Sequence, residues 1–599
     1  MKQRNLLIAS LLPAFVACTP LTEPEIDNSG TDGVETPGEP EEPGEPGETG
    51  EIPFNVRPNI LVIMCDQLRW DAVSCYENNP LTRTFHTPNF DRLASWGAYF
   101  THAITPCPVS APARTSILTG RLIEKTRVIG NGDVKGGDDD SDEENTETIT
   151  EPLCPYPSYD QVLVQSGYVA EYYGKFHSCS KFAEAYSNPI PDGWGVSSLT
   201  GPVSNLVINN AQCYNAYIGE SAEALLGVQF VKNGPSPLVT GQQYDGSGIK
   251  YWPNPMDLRY GYDPQENPAQ RRYPVGSTKK PSTNRMHGTS LMPTTHTTTG
   301  FHARNTMAAL ERLAGQKFAL MCSFQSPHPP VIPNQPYVSK YYDTENNTTS
   351  TMNRIMAPPS ISDGLSGSPY LTSQGSSNDR SDYTNWAKLK YATADYYATV
   401  EEVDYWLGQI LDKVEALGLK DKTCIFFISD HGEQLGAHGL KGKGVLYEEA
   451  IRIPMMMSLP GIVPPGVRID APVSEINLFP TIMELLGNTS EQSDGYSLIP
   501  LARGGEAKMD FAVAEWQHTK TNVPNICITT KEWKLMLNYS SATYDALYNL
   551  ASDPYEMNNL MVTDKTSNLE KARELQAKLA GYLEEIEHPY AQQIKERTL

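Results

Sequence analysis

The chain has little that would tie it to a membrane interior, a zinc site or a nucleic acid. Its longest amino-terminal apolar run, Leu6 to Val16, is too short to span a bilayer. Ten cysteines are scattered with no Cys-x-x-Cys spacing, which excludes a zinc ribbon and leaves any disulfide pattern unreadable. Positive charge is scarce: 47 Lys and Arg stand against 71 Asp and Glu, a formal charge of −24, and no nucleic-acid partner is expected. The deficit is local. Residues 19–52 hold eleven acids and no Lys or Arg, and Asp133 to Glu147 holds eight acids against Lys135. These two stretches carry about −18 of the −24, so the acidity says little about any site elsewhere.

What is present at the amino end is a leader. Lys2 and Arg4 precede the apolar run, and Ala17-Cys18 ends it, as in a bacterial lipoprotein signal whose cysteine is acylated. The expectation is an exported lipoprotein, lipid-anchored through Cys18, in the periplasm or on the outer-membrane surface. Residues 19–52 (PEEPGEPGETGE at their centre) read as an extended Pro/Gly tether.

Beyond the tether, apolar runs end in polar residues. NILVIMC (Asn59–Cys65) leads to Asp66-Gln67, VAEYYG to Lys175 and His177, FALMCSF (Phe318–Phe324) to His328, and CIFFIS (Cys424–Ser429) to Asp430-His431-Gly432. Continuous apolar runs of this length are buried parallel strands, and ligands of an open α/β sheet bind outside the carboxyl ends of its strands. The pattern predicts one shared crevice. Val400, Val403, Leu407, Ile410, Leu411, Val414 and Leu417 recur at three and four, an amphipathic helix. His328, set between prolines, is held on rigid extended backbone, a poor place for a core histidine.

The stretch Pro106 to Arg121 contains Ser110, Pro112 and Arg114. Pro112 sits where a helix begins, so Ser110 falls at its positive end, where an anionic group is favoured; a plain helix cap is the bland reading of an isolated Ser-x-Pro-x-Arg. Cys107 does not fit that spacing, since four residues on stands Ala111.

This core resembles the signature of the type I sulfatases, serine type, of the alkaline phosphatase superfamily. In that family the first residue is oxidised to formylglycine by a maturase. Further segments are similar in the family's order: PNILVIMCDQLRWD, HTPNFDRLASWGAYFTHAIT, Gly174-Lys175-Phe176-His177, the Asp430-His431-Gly432 turn with its Gly-Lys-Gly loop, PVSEINLFPTIMELLG, and Leu547 to Glu556. Departures are Gln67, where many members have an acid, Ala170, Tyr173, and Asn477 in place of a common acid. The resemblance spans about Pro58 to Leu583.

It implies an α/β fold with a large, mostly parallel sheet flanked by helices and a smaller carboxy-terminal α+β subdomain. The expected organisation is 1–18 signal, 19–52 tether, 53–505 catalytic domain with insertions at about 131–150 and 187–300, and 506–599 subdomain. Asp66, Gln67, Ser110, Asp430 and His431 are the implied ligands of a divalent cation, most simply Ca²⁺, with Mg²⁺ or Mn²⁺ open because His431 offers nitrogen. Arg114 and Lys175 are implied to stabilise the hydroxyls of the hydrated aldehyde, with His177 hydrogen-bonded to them. Lys443 offsets the sulfate charge, and His328 is the candidate general acid. His438 and Lys441 are close enough in sequence to line the same pocket. One hydroxyl of the hydrate attacks sulfur, and the other later loses its proton to expel sulfate.

The implied substrate is a sulfated carbohydrate. Arg271, Arg272, Lys279, Lys280 and Arg285 read either as a solvated loop or as an attractor of a polyanion. Rival functions are a phosphonate monoester or phosphodiester hydrolase of the same superfamily, and a non-catalytic binder of sulfated glycans.

Overall fold

A computed structural model describes residues 57–76, 86–134, 154–188, 230–231, 238–239, 294–341 apart from 330, 332 and 335, 355–371, 384–488, 490–516 and 520–599. Cys18, the tether, most of the acidic run and the basic residues between 271 and 285 lie outside the described residues.

In chain order the strands are β1 (Asn59–Asp66), β2 (Ala98–Ile104), β3 (Val169–Gly174), a short hairpin β4 (Phe230–Val231) and β5 (Leu238–Val239), β6 (Phe318–Pro327), β7 (Thr423–Ser429), β8 (Arg452–Ser458), β9 (Val467–Ser474), and β10 (Phe511–Glu515) to β13 (Ala546–Asn549). Seven of them form one sheet in the order β3-β6-β1-β7-β8-β2-β9. Only β8 runs against its neighbours, so the sheet is mostly parallel, as expected.

Helices cover both faces, and the sequence shows why. Along β1 every residue is buried: Leu61, Ile63 and Cys65 join one core, Ile60, Val62 and Met64 the other. Side chains alternate across a strand, so a strand covered on both sides has no polar phase. The first core is completed by α1 (Pro88–Trp96), α4 (Thr298–Leu313) and α5 (Trp386–Ala416); the second by α2 (Ser110–Thr119), α3 (Tyr159–Gln165) and α6 (Leu478–Leu486). The stripe predicted from Val400 onward lies on α5, fully buried from Val400 to Val414. Truncating one such residue, for example Leu407→Ala, should cost roughly 2–5 kcal/mol.

Register sets the site. Asn59 pairs with Thr423 and Cys65 with Ser429, while Val169 pairs with Phe318 and Gly174 with Ser323. Strands β1, β3, β6 and β7 therefore release their next residues, Gln67, Lys175, His328 and Asp430, at one edge. The antiparallel sheet β10-β11-β12-β13, with β11 at Ile526–Thr530 and β12 at Trp533–Leu537, packs on α7 (Lys565–Glu585) around a separate core. This is the smaller carboxy-terminal subdomain.

Candidate active site and metal centre

Ser110 is the first residue of α2, following Val109 in extended conformation. Pro112, third in the helix, lacks an N–H that would have no helical partner in any case. The helix stops at Gly120, whose φ is +66°; a Cβ there would lie 2.7 Å from Cβ of Phe479. The N–H of Ala111 is taken by Asn131 Oδ1 at 3.1 Å, which fixes the first turn. Ser110 is buried, and its Oγ lies 2.9 Å from Nε2 of His431.

His431 is held in one tautomer. Its Nδ1 donates to the carbonyl of Gly432 at 3.0 Å, leaving the Nε2 lone pair facing inward. That nitrogen stands 3.8 Å from Oδ1 of Asp66 and 3.7 Å from Oδ1 of Asp430. Burial, above all, holds the imidazole below its usual pKa and therefore neutral. The ligand atoms of Asp66, Asp430 and His431 all lie within 4.8 Å of one another. Asp66 Oδ1 is buried and has no hydrogen-bond partner.

The remaining oxygens are countered by cations. Arg114, 1% exposed, donates from Nε to Asp430 Oδ2 at 2.8 Å and from NH2 to Asp66 Oδ2 at 3.4 Å. Its NH1 donates to Ser323 Oγ at 2.8 Å and to the carbonyl of Lys175 at 2.7 Å. Lys175 pairs with Asp66 Oδ2. Burial would raise the Asp66 carboxyl, but the cations, Lys175 first and then Arg114, outweigh it and hold it well below the usual range. Buried acceptors gathered this closely suit a hard cation, with oxygen ligands and one imidazole nitrogen.

A second row of groups borders this set. Lys443 Nζ donates to Gln67 Oε1 at 2.8 Å and lies 2.9 Å from His328 Nε2. His328 Nδ1 sits 2.7 Å from the carbonyl of Pro329, an acceptor, so Nδ1 carries the ring proton and Nε2 receives Lys443. Burial and then Lys443 push His328 well below its usual pKa. His177 has positive φ, 41°, and neither ring nitrogen has a hydrogen-bond partner. Burial, Lys175 and Arg114 keep it neutral as well. The approach of this loop depends on Gly174, φ +110°, where a Cβ would stand 1.8 Å from the carbonyl oxygen of Ser323.

The structure thus joins Ser110 to His431, Arg114 and Lys175 to the two carboxylates, and Lys443 to Gln67 and His328. It leaves His177 unbonded and directs His438 elsewhere: its Nδ1 lies 2.7 Å from Asp363 Oδ2 and its ring stacks on Tyr447. Sequence reasoning missed Ser323, Asn131, Thr105 and Glu433. Thr105 donates to the carbonyl of Asp430 at 2.6 Å. Glu433, three residues after Asp430, accepts from the side-chain amide of Gln67. Its place in the Asp-His-Gly-Glu run was the one available signal.

Residues 58–488 match the sulfatase family, and residues 436–585 match the carboxy-terminal region described as N-sulphoglucosamine sulphohydrolase, C-terminal. The choline-sulfatase of Rhizobium meliloti is 25% identical over 520 residues, covering 84% of this chain and 82% of that protein. The N-acetylglucosamine-6-O-sulfatase of Bacteroides thetaiotaomicron is 24% identical over 533 residues, 87% of this chain and 85% of that one. Among solved structures, the phosphonate monoester hydrolase of Agrobacterium radiobacter superposes with a TM-score of 0.60 at 21% identity, covering 88% of this chain and 96% of its own. With a family match over residues 58–488, most of the chain, this protein belongs to the sulfatase family of enzymes.

Proposed function

We propose that the chain hydrolyses sulfate monoesters on carbohydrates, using a formylglycine made from Ser110 and a divalent cation, Ca²⁺ in the first instance. The observation that carries this is the convergence of Ser110 Oγ, the His431 Nε2 lone pair and the unpartnered Asp66 Oδ1 on one buried point. Asp66, Asp430 and His431 would hold the cation, with Gln67 and residue 110 the further candidates; the cation supplies charge neutralisation, and the hydrated aldehyde supplies the nucleophilic hydroxyl.

The side chains around that point have separable tasks. Arg114 and Lys175 hold Asp66 ionised, and Arg114 holds Asp430 in place. Lys443 presents a positive charge to the sulfate from the strand-end edge. His328 serves as acid toward the leaving oxygen once Nε2, which here accepts from Lys443, has taken a proton from solvent and Lys443 has turned to the sulfate with its charge retained. His177 offers the unfilled ring nitrogens to the hydroxyls of residue 110.

The deciding experiment is mass spectrometry of the tryptic fragment spanning Ser110 from protein made in its native host. Loss of two hydrogens at Ser110 is the expected result. An unmodified serine throughout would turn the reading to a binder of sulfated glycans. The same ligand set suits a phosphonate monoester, so relative turnover of aryl sulfate and aryl phosphonate ranks the two hydrolase readings; sulfate is expected to lead. Carbohydrate as the substrate class rests on the N-acetylglucosamine-6-O-sulfatase likeness. Export and anchoring through Cys18 belong to the same proposal, tested by radiolabelled palmitate incorporation, which Cys18→Ser should abolish.

A further inference from the structure

Glu433 is a buried carboxylate that takes no part in the steps above, yet it touches both ends of the arrangement that presents Lys443. It is 6% exposed. Its Oε1 accepts from the backbone N–H of Leu435 at 2.9 Å and of Gly442 at 2.5 Å, while Oε2 accepts from Nε2 of Gln67. Gly442 is the residue before Lys443, and Gln67 Oε1 is the group that receives Lys443 Nζ. The loop between them is closed again by Gln434 N–H to the carbonyl of Gly442 at 2.7 Å.

Gln67 is fixed just as fully. It is 2% exposed; its N–H donates to Asp430 Oδ1 at 3.1 Å and its carbonyl accepts from Tyr396 at 2.7 Å. The side-chain amide has one orientation open to it. Glu433 only accepts and Lys443 only donates, so nitrogen must face the former and oxygen the latter. A carboxylate at position 67 would meet the carboxylate of Glu433 in a buried pocket, a like-charge contact weakly screened by its surroundings.

We propose that Glu433 is a positioning residue: it holds Lys443 from its loop through Gly442 and from its acceptor through Gln67. The Gln67–Glu433 pair is then a matched unit whose two members exchange only together. With Glu at 67 and Gln at 433, a carboxylate at 67 accepts from both Lys443 and the new amide, and the amide oxygen at 433 accepts the N–H groups of Leu435 and Gly442. Every hydrogen bond survives, with one reversed in direction, and the net charge is unchanged. Either substitution alone leaves two donors, or two acceptors, opposed.

This role for Lys443 rests on the sulfatase reading, whereas the pairing does not, and the two are measured separately. The experiment compares the wild type with Glu433→Gln, Gln67→Glu and the double variant, first by thermal unfolding of the unmatured serine form. There the expected result is a fall in Tm for each single variant and recovery in the double, a non-additivity that two independent sites would not give. In the matured enzyme, kcat/KM for a sulfate monoester should fall about 10- to 100-fold in each single variant. The double should regain at least about tenfold over the worse single. Affinity for inorganic sulfate should weaken in Glu433→Gln, a change that a merely structural role would not produce. If the singles fail to fold and the double folds, the pairing stands. If the double is no better than the sum of the singles, or fails to fold with them, the proposal is overturned. Coupling in Tm without any effect on sulfate binding or kcat/KM overturns the role toward Lys443 alone, and a wild type inactive on sulfate esters counts against the sulfatase reading and not the pair.

Discussion

Two of the buried charge groups among the described residues are finished differently. At the junction with the small sheet, Lys534 is wholly buried between Glu448 and Glu556, 2.8 Å from each, and donates to the carbonyl of Leu446 at 3.1 Å. Its charge is countered by both carboxylates, and Arg452 stands 3.7 Å from Glu448 as a further counter-charge. At the strand ends, by contrast, Arg114 and Lys175 neutralise only the outer oxygens of Asp66 and Asp430. Of the inner atoms, Asp430 Oδ1 accepts from the N–H of Gln67 and His431 Nε2 faces the Ser110 hydroxyl, while Asp66 Oδ1, 3.8 Å from that nitrogen, has no hydrogen-bond partner. Burial and ion pairing are common to both groups, so neither marks a site. The gathering of the Asp66, Asp430 and His431 ligand atoms within 4.8 Å of one another does, because buried acceptors are brought so close where another positive charge is to come.

The sharpest test of that contrast is His431→Ala against Lys534→Met. The first should lower turnover by about 10³-fold, roughly 4 kcal/mol of transition-state stabilisation, and abolish any stabilisation by added Ca²⁺. The second takes the buried cation from Glu556 and leaves Glu448 with Arg452 alone, and should cost roughly 3–5 kcal/mol in denaturant unfolding, while the Ca²⁺ response persists. Loss of the Ca²⁺ response in Lys534→Met would erase the distinction. In the wild type, Ca²⁺ at about 100 times its dissociation constant should stabilise by about 2.7 kcal/mol, read as a rise in Tm that chelator reverses.

His328→Ala sharpens the division of labour within the site. Sugar sulfates, whose alkoxide needs a proton, should lose about 100-fold in kcat, and activated aryl sulfates far less. Equal losses on both would remove His328 as the acid. A test on stability alone comes from an imidazole outside both groups. His302 is fully enclosed, and burial pushes it down to about 4. The unfolded chain takes up a proton near pH 6.5 that the folded chain refuses until about pH 4. Stability should therefore fall as pH drops through that window, by about 1.4 kcal/mol per pH unit for this group. His302→Leu should flatten that slope without touching the Ca²⁺ response, as followed by urea titrations between pH 4 and 6.5.

Much of the site was legible because its residues sit at chemically loud places in the chain. Asp66, Lys175, His328 and Asp430 each follow a buried strand, and Ser110, Pro112 and Arg114 have a spacing that few structural needs impose. What stayed hidden depends on the chain returning. Ser323 is an unremarkable strand serine until Arg114 reaches it across β6. Asn131 is a loop residue until it accepts from Ala111. Glu433 stood in plain view beside the metal turn, but its partners, Gln67 and Gly442, are assembled only when β1 and β7 lie side by side. His438 shows the opposite error: nearness in sequence to Lys443 suggested the pocket, and a left-handed backbone at φ 55° turns it to Asp363.

By itself the sequence determined that a doubly covered sheet would form, since only strands buried on both faces can be apolar at every position. It also determined which residues would stand at the strand ends. Only the tertiary structure decided their protonation and their pairing. The Gly432 carbonyl selects the His431 tautomer, Arg114 and Lys175 keep Asp66 ionised against its burial, and Glu433 turns the Gln67 amide toward Lys443. Those outcomes depend on distances of a few ångströms in a low-dielectric interior, where the energy of a charge is set by its neighbours in space and not by its neighbours in the chain.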